Sequence, residues 1–172
     1  IHSLKKEQPA ALSHREILER CPTALDVASP LLTPESFRLG PRWANLQIVR
    51  GGNQELFTGL ELPAEFQGDL PRFALHPALL DRATGSAQLL FTPGQLENGL
   101  HVPFAYERLR IWKPLPARCS SLVRRAGLGL NKGPLATFDV TLIDETGQVL
   151  VEIAGFTMKQ IDPAMLVSVA AK

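Results

Sequence analysis

The residue of this sequence best suited to do chemistry is a carboxylate, Asp81, in the stretch LHPALLDRATGSAQ at residues 75–88. Around it Leu80, Ala83, Ala87 and Leu90 recur at the spacing of a helix with one buried face. An acid in that setting has two readings: a proton donor facing a bound molecule, or the polar edge of a packed helix turned to water. His76 and Pro77 precede it. Histidine is the side chain whose ordinary pKa lies nearest neutrality, yet at this place it fits capping or packing of the helix start. Pro77 in a first helical turn needs only its preset φ.

Little else in the chain competes with Asp81. Cys21 and Cys119 lie far apart and form no Cys-x-x-Cys pair. No four-ligand spacing for a structural zinc is present, so no metal site is expected. Cys119 reads as an inert strand residue, and the cysteine usage fits a reducing, cytoplasmic setting. His101, ahead of a strand, reads as a surface residue. Trp43, Phe104 and Tyr106 read as core or wall residues, and Arg108 and Arg110 as solvated strand positions.

Composition narrows the classes. The 172 residues carry 18 Lys and Arg against 17 Asp and Glu, with 45% hydrophobic residues. That balance argues against a nucleic-acid partner, which calls for a clustered basic excess. No apolar run approaches the ~20 residues of a membrane span. The start, IHSLKKEQPAALSH, lacks an apolar signal core and an initiator Met, and is expected to be an interior piece of a longer chain. Residues 1–13 read as linker, 14–162 as one domain and 163–172 as tail or linker.

The elements that must hold Asp81 follow from periodicity. Ser13 with Glu16 three positions on is a capping-box signature for a short helix ending before Pro22. A second helical turn is expected at Thr33–Phe37, closed by Gly40-Pro41. The period then changes to two. Strands are predicted over 45–51 and 55–62, joined by the turn Gly51-Gly52-Asn53. A polar loop follows, then one long helix from Pro77 to Phe91, then the loop at 92–99. Four further strands are predicted over 102–112, 118–128, 135–144 and 148–161. Together these give an α+β fold, an antiparallel sheet wrapped around one long central helix in the hot-dog arrangement.

Several stretches together resemble one family. ERCP at 19–22, RLGPRW at 38–43, HPALLD at 76–81, VPFAYE at 102–107 and DETGQVLVEIAGFTM at 144–158 occur in the order seen in the C-terminal half of modular polyketide synthase dehydratase domains. The likeness covers about residues 16–162, and it implies half of a double hot dog. It further implies dehydration of a β-hydroxyacyl chain borne on the phosphopantetheine of an acyl carrier protein, with no cofactor bound directly. In that family a His of the first hot dog removes the α-proton and the Asp of the helix motif protonates the departing hydroxyl. The residue types suit the work. An α-proton needs a base active near neutrality, and hydroxide needs an acid to leave. Asp81 is thereby implied as the general acid. Its position implies a substrate-binding role for His76, Pro77, Gly85, Gln88 and Leu39 around it.

This chain departs from the family's pattern in three ways. No His begins a His-x-x-x-Gly-x-x-x-x-Pro motif, so the base is expected from a missing N-terminal hot dog. The fourth residue after the Asp, Gln or His in the family, is Gly85, which costs about 1 kcal/mol in a helix interior and is expected to admit a substrate or a neighbouring backbone. Gln88, seven residues after Asp81, is the alternative partner. The family's Tyr ahead of Gly-Pro is Leu39. A second function therefore stands beside the first: a degenerate dehydratase-like domain, of branching or scaffold type, that positions the carrier-bound chain for a neighbouring ketosynthase. A third keeps the tunnel and changes the reaction to pyran formation or double-bond shifting. A lone hot dog leaves a sheet edge uncovered, so a homodimer or a pseudo-dimer is expected.

Overall fold

The computed structural model describes residues 7–28, 39–91, 100–127 and 135–161. The helical turn expected at Thr33–Phe37, the loop at 92–99 and the tail at 163–172 lie outside them. Helix α1 spans His14–Arg20 and is capped as its sequence predicts, Ser13 Oγ accepting from the Glu16 amide at 3.3 Å. Strands β1 (Thr23–Ala24), β2 (Leu46–Gly51) and β3 (Glu55–Glu61) follow, then helix α2 (Pro77–Gly85). The remaining strands are β4 (Leu100–Ala105), β5 (Arg108–Ile111), β6 (Arg118–Arg125), β7 (Leu135–Ile143) and β8 (Val149–Ile161). They form one antiparallel sheet in the order β1-β2-β3-β6-β7-β8-β4, with β5 also on β8. Fold class and wrapping are those the periodicity predicts.

Helix α2 supplies Leu79 and Ala83 to the concave face of the sheet, and Ala87 and Phe91 extend the contact. There they meet Leu56, Leu60, Val123, Phe138, Val140, Leu142, Ile153, Phe156 and Met158, all buried. The long helix expected from Pro77 to Phe91 is two elements: the α-helix stops at Gly85, and a 3₁₀ segment runs over Ser86–Leu90. A weak helix former followed by Ser86, whose hydroxyl donates to the Ala83 carbonyl at 3.0 Å, gives the backbone a tighter alternative there. Likewise the polar loop after β3 holds a 3₁₀ segment, Ala64–Arg72.

The outer face of the sheet is also partly covered. Ile17 and Cys21 of the α1 region pack against Phe57, Leu122, Ile143 and Val149. Sequence periodicity assigned the sheet only one helical cover. Neighbouring strand residues such as Leu56 and Phe57 therefore enter opposite cores.

The strand expected over 102–112 is broken into β4 and β5, and β8 explains the break. Phe138 pairs with Phe156 but Val140 pairs with Ile153, so β8 carries one extra residue at this point. Gly155 takes φ +64 in the bulge, and its amide donates to Asp139 Oδ1 at 3.0 Å. The bulge shifts strand parity, so Val151, Ile153, Phe156 and Met158 all enter the core around α2. Opposite the bulge, Tyr106 and Glu107 leave the ladder, the Glu107 amide reaching the Gly155 carbonyl at 3.3 Å. A Cβ at Gly155 would lie 2.6 Å from Glu107 Cβ. Gly155→Ala is therefore expected to destabilise the domain by about 1–3 kcal/mol, read as a lower urea midpoint. An unchanged midpoint would remove the strain argument.

Candidate active site

Asp81 lies on the exposed side of α2. Among the described residues none buries it. Its partner is an indole: Trp43 Nε1–H donates to Asp81 Oδ2 at 2.7 Å. Trp43 ends a 3₁₀ turn, Pro41–Trp43, and three further side chains brace that turn. Asn45, fully buried, donates through Nδ2 to the Arg42 carbonyl and to the Ala78 carbonyl of α2, both at 3.0 Å. Arg82 Nε donates to the Trp43 carbonyl at 3.2 Å. Arg42 bridges to Asp69 at 2.7 Å and lies over the Phe66 ring at 4.3 Å.

Charge follows this framework. Hydrogen bonding to Arg42 holds the Asp69 carboxyl below the usual carboxylate range. Burial lowers the pKa of Arg82 and the Asp81 carboxylate opposes that. Tyr106 is raised, first by burial and then by the charge of Asp81. Tyr106 also stacks on Phe156 with ring centroids 5.5 Å apart. A carboxylate and an indole donor thus meet on the exposed side of α2.

The other candidate residues are distributed as follows. His76 is the N-cap residue of α2 but makes no side-chain cap; it is buried against Phe73, with Nε2 3.8 Å from Asp69 Oδ2. Pro77 occupies the first turn and is exposed. Gly85 is half-buried, and among the described residues no atom lies within 4 Å of where its Cβ would be. The neighbouring backbone expected there is absent from the described residues, and the position opens into space. Gln88 is half-buried in the 3₁₀ segment, and among the described residues no hydrogen bond joins it to Asp81. Leu39 is exposed ahead of the turn that carries Trp43.

Several sequence readings change. Trp43, read as core or wall, is half-buried and donates to Asp81, and Tyr106, read likewise, is exposed at the sheet edge while it stacks on Phe156. His101, read as surface, is buried and stacks on Phe91 at 4.1 Å, and burial lowers its pKa. Asn45 and Arg82 were not singled out at all, because the spacing of 45 and 82 carries no signal of their meeting. Cys119 is buried, and burial pushes its thiol up to about 12, as suits an unreactive strand residue.

One edge of the sheet is uncovered among the described residues. Beyond β4 and β5 no strand pairs among the described residues, and Phe104 (61% exposed), Tyr106, Leu109 and Ile111 are open there. Arg108 is exposed and Arg110 half-buried on the same strand. No described helix is long and apolar enough to cross a membrane.

Comparison with known proteins places this geometry. The family model described as "Polyketide synthase dehydratase N-terminal domain" matches residues 9–166. Polyketide synthase PksM of Bacillus subtilis (strain 168) is 29% identical over 128 residues, 72% of this chain but 3% of PksM. The crystal structure of a trans-AT PKS dehydratase domain from Brevibacillus brevis is 28% identical with a TM-score of 0.78, over 91% of this chain and 55% of that one. Two inactive mutants of the CurK dehydratase, one His-to-Phe and one Asp-to-Asn, match at 17% identity with TM-scores of 0.80 and 0.77. These cover 93% and 90% of this chain, and 56% and 55% of theirs. At that identity the CurK likeness concerns the fold. The chain thus spans about half of the solved dehydratase domains and a small part of PksM.

Proposed function

This chain belongs to the polyketide synthase dehydratase family, and from that premise we propose that it is the Asp-bearing, C-terminal hot dog of a dehydratase acting on β-hydroxyacyl chains held on an acyl carrier protein. The observation that carries the reading is Asp81 itself, exposed and oriented by Trp43, on a fold whose β4–β5 edge is apolar and unpaired among the described residues and so open to a second hot dog. The matched model is described by its N-terminal domain. Two features support the C-terminal assignment: the helix motif HPALLD, and the lack of any His-x-x-x-Gly-x-x-x-x-Pro in this chain. The CurK mutants agree with it. In that dehydratase the mutated His precedes the mutated Asp by more residues than precede Asp81 here.

The reaction needs two groups, a base for the α-proton and an acid for the β-hydroxyl. A His of the companion hot dog takes the α-proton of the thioester. The electron pair left behind forms the double bond as the β-carbon–oxygen bond breaks. Asp81 passes its proton to the departing hydroxyl, and water leaves. The phosphopantetheine thioester, cytoplasmic setting and pairing into a homodimer or pseudo-dimer belong to the same proposal. So do the substrate-facing roles of Leu39, His76, Pro77, Gly85 and Gln88.

A second reading has one observation in its favour. Gly85 leaves open the helix position one turn beyond the acid, as in a domain that holds a carrier-bound chain for a ketosynthase without transforming it. One assay separates the two. The chain, alone and completed by a His-bearing hot dog, is incubated with a β-hydroxyacyl carrier protein and followed by intact mass. Water loss is expected only from the completed domain. Carrier binding without water loss in the completed domain would leave the holding role.

A further inference from the structure

We propose that Trp43 is the positioning residue of Asp81, its indole occupying Oδ2 so that Oδ1 is the oxygen that carries and delivers the proton. This inference rests on the reading of Asp81 as an acid. A carboxylate on a helix ordinarily finds its partner one turn away on the same helix. Here that position is Gly85, without a side chain and with nothing among the described residues within 4 Å of its Cβ site. The partner arrives from outside the helix at 2.7 Å. Indole is a donor only and keeps its proton at all working pH values. It can therefore bond the carboxylate oxygen before protonation and the carbonyl oxygen after it, leaving the second oxygen free in both states. A cationic donor in the same place would hold Asp81 ionised.

The turn is built to hold the ring still. Asn45 ties it to α2 through Ala78, Arg82 holds the Trp43 carbonyl, and Arg42 anchors it to Asp69. An orienting group held on a braced turn fixes direction at little further entropic cost.

The test begins with the indole signals of the two tryptophans in nitrogen–proton NMR spectra of this chain. Asp81→Ala is expected to move the Trp43 signal and quicken its exchange. Trp112, whose indole donates to Glu152 at 2.8 Å, should stay unchanged as the internal control. An unmoved Trp43 signal overturns the contact and the proposal with it. In the completed domain, Trp43→Phe should lower kcat about 10- to 100-fold with KM for the acyl carrier unchanged. Gly85 has helical φ −63 and open space, so Gly85→Gln in the Trp43→Phe background supplies a donor one turn from Asp81 and should restore most of the loss. A full kcat for Trp43→Phe, a loss confined to KM, or no recovery with Gly85→Gln each overturns the proposal. Water loss that survives Asp81→Asn overturns it through the acid reading, and an intact indole contact in the same preparation marks that as the cause.

Discussion

Asp81→Asn in the completed domain is expected to lower the rate of water loss by about 10²–10⁴-fold, the usual contribution of a positioned general acid. The substitution isolates the proton. Asn has nearly the shape of Asp, and its amide oxygen still accepts from the Trp43 indole, but it has no proton to give to a departing hydroxyl. The fold should not notice. Asp81 is exposed, and the helix is anchored by Leu79 and Ala83, both fully buried. The check is intact-mass kinetics beside a thermal melt of each protein. A rate within tenfold of the parent, with matching melts, would take the acid role away from Asp81.

The largest effect on stability is expected at Phe138. Phe138→Ala should cost about 3–5 kcal/mol, a large share of the 5–15 kcal/mol by which domains are ordinarily stable. Phe138 is completely buried where β7 meets the bulge of β8. It packs edge-on to Phe91 at 5.7 Å and tilted against Phe156 at 6.5 Å. Truncation leaves a void between the sheet and the last turn of the helical segment, where several rigid elements cannot close together. Phe104→Ala is the control, since Phe104 is 61% exposed on the edge strand. Urea unfolding measures both. A cost below about 1 kcal/mol at Phe138 would mean that this core relaxes far more than its packing implies.

The packing around Phe138 depends in turn on the bulge of β8. Phe138 and Phe156 reach the core together because Gly155 shifts the register of β8. The same bulge faces the break at which Tyr106 and Glu107 leave the edge ladder. Core packing and the edge break are thus tied to one backbone irregularity, and Gly155→Ala is expected to disturb both.

What the sequence determined by itself is the order of elements and the fold class. Alternation in Phe138, Val140 and Leu142, the apolar spacing of the helix around Leu80, Ala83 and Ala87, and the Ser13 cap are local signals, each governed by residues within a few positions of one another. The motif HPALLD marked Asp81 in the same way. Tertiary structure decided the rest. The stop of α2 at Gly85, the break between β4 and β5, and the burial of His101 depend on what lies across the sheet. Trp43 meeting Asp81 and Asn45 bridging to Ala78 join residues 38 and 33 positions apart. No period or spacing encodes such a meeting. It is fixed by how the turn at Pro41–Trp43 seats against α2, and the packed core sets that seat. A hydrogen bond between distant side chains exists only after the chain has folded, so sequence could single out the carboxylate but not the indole that meets it.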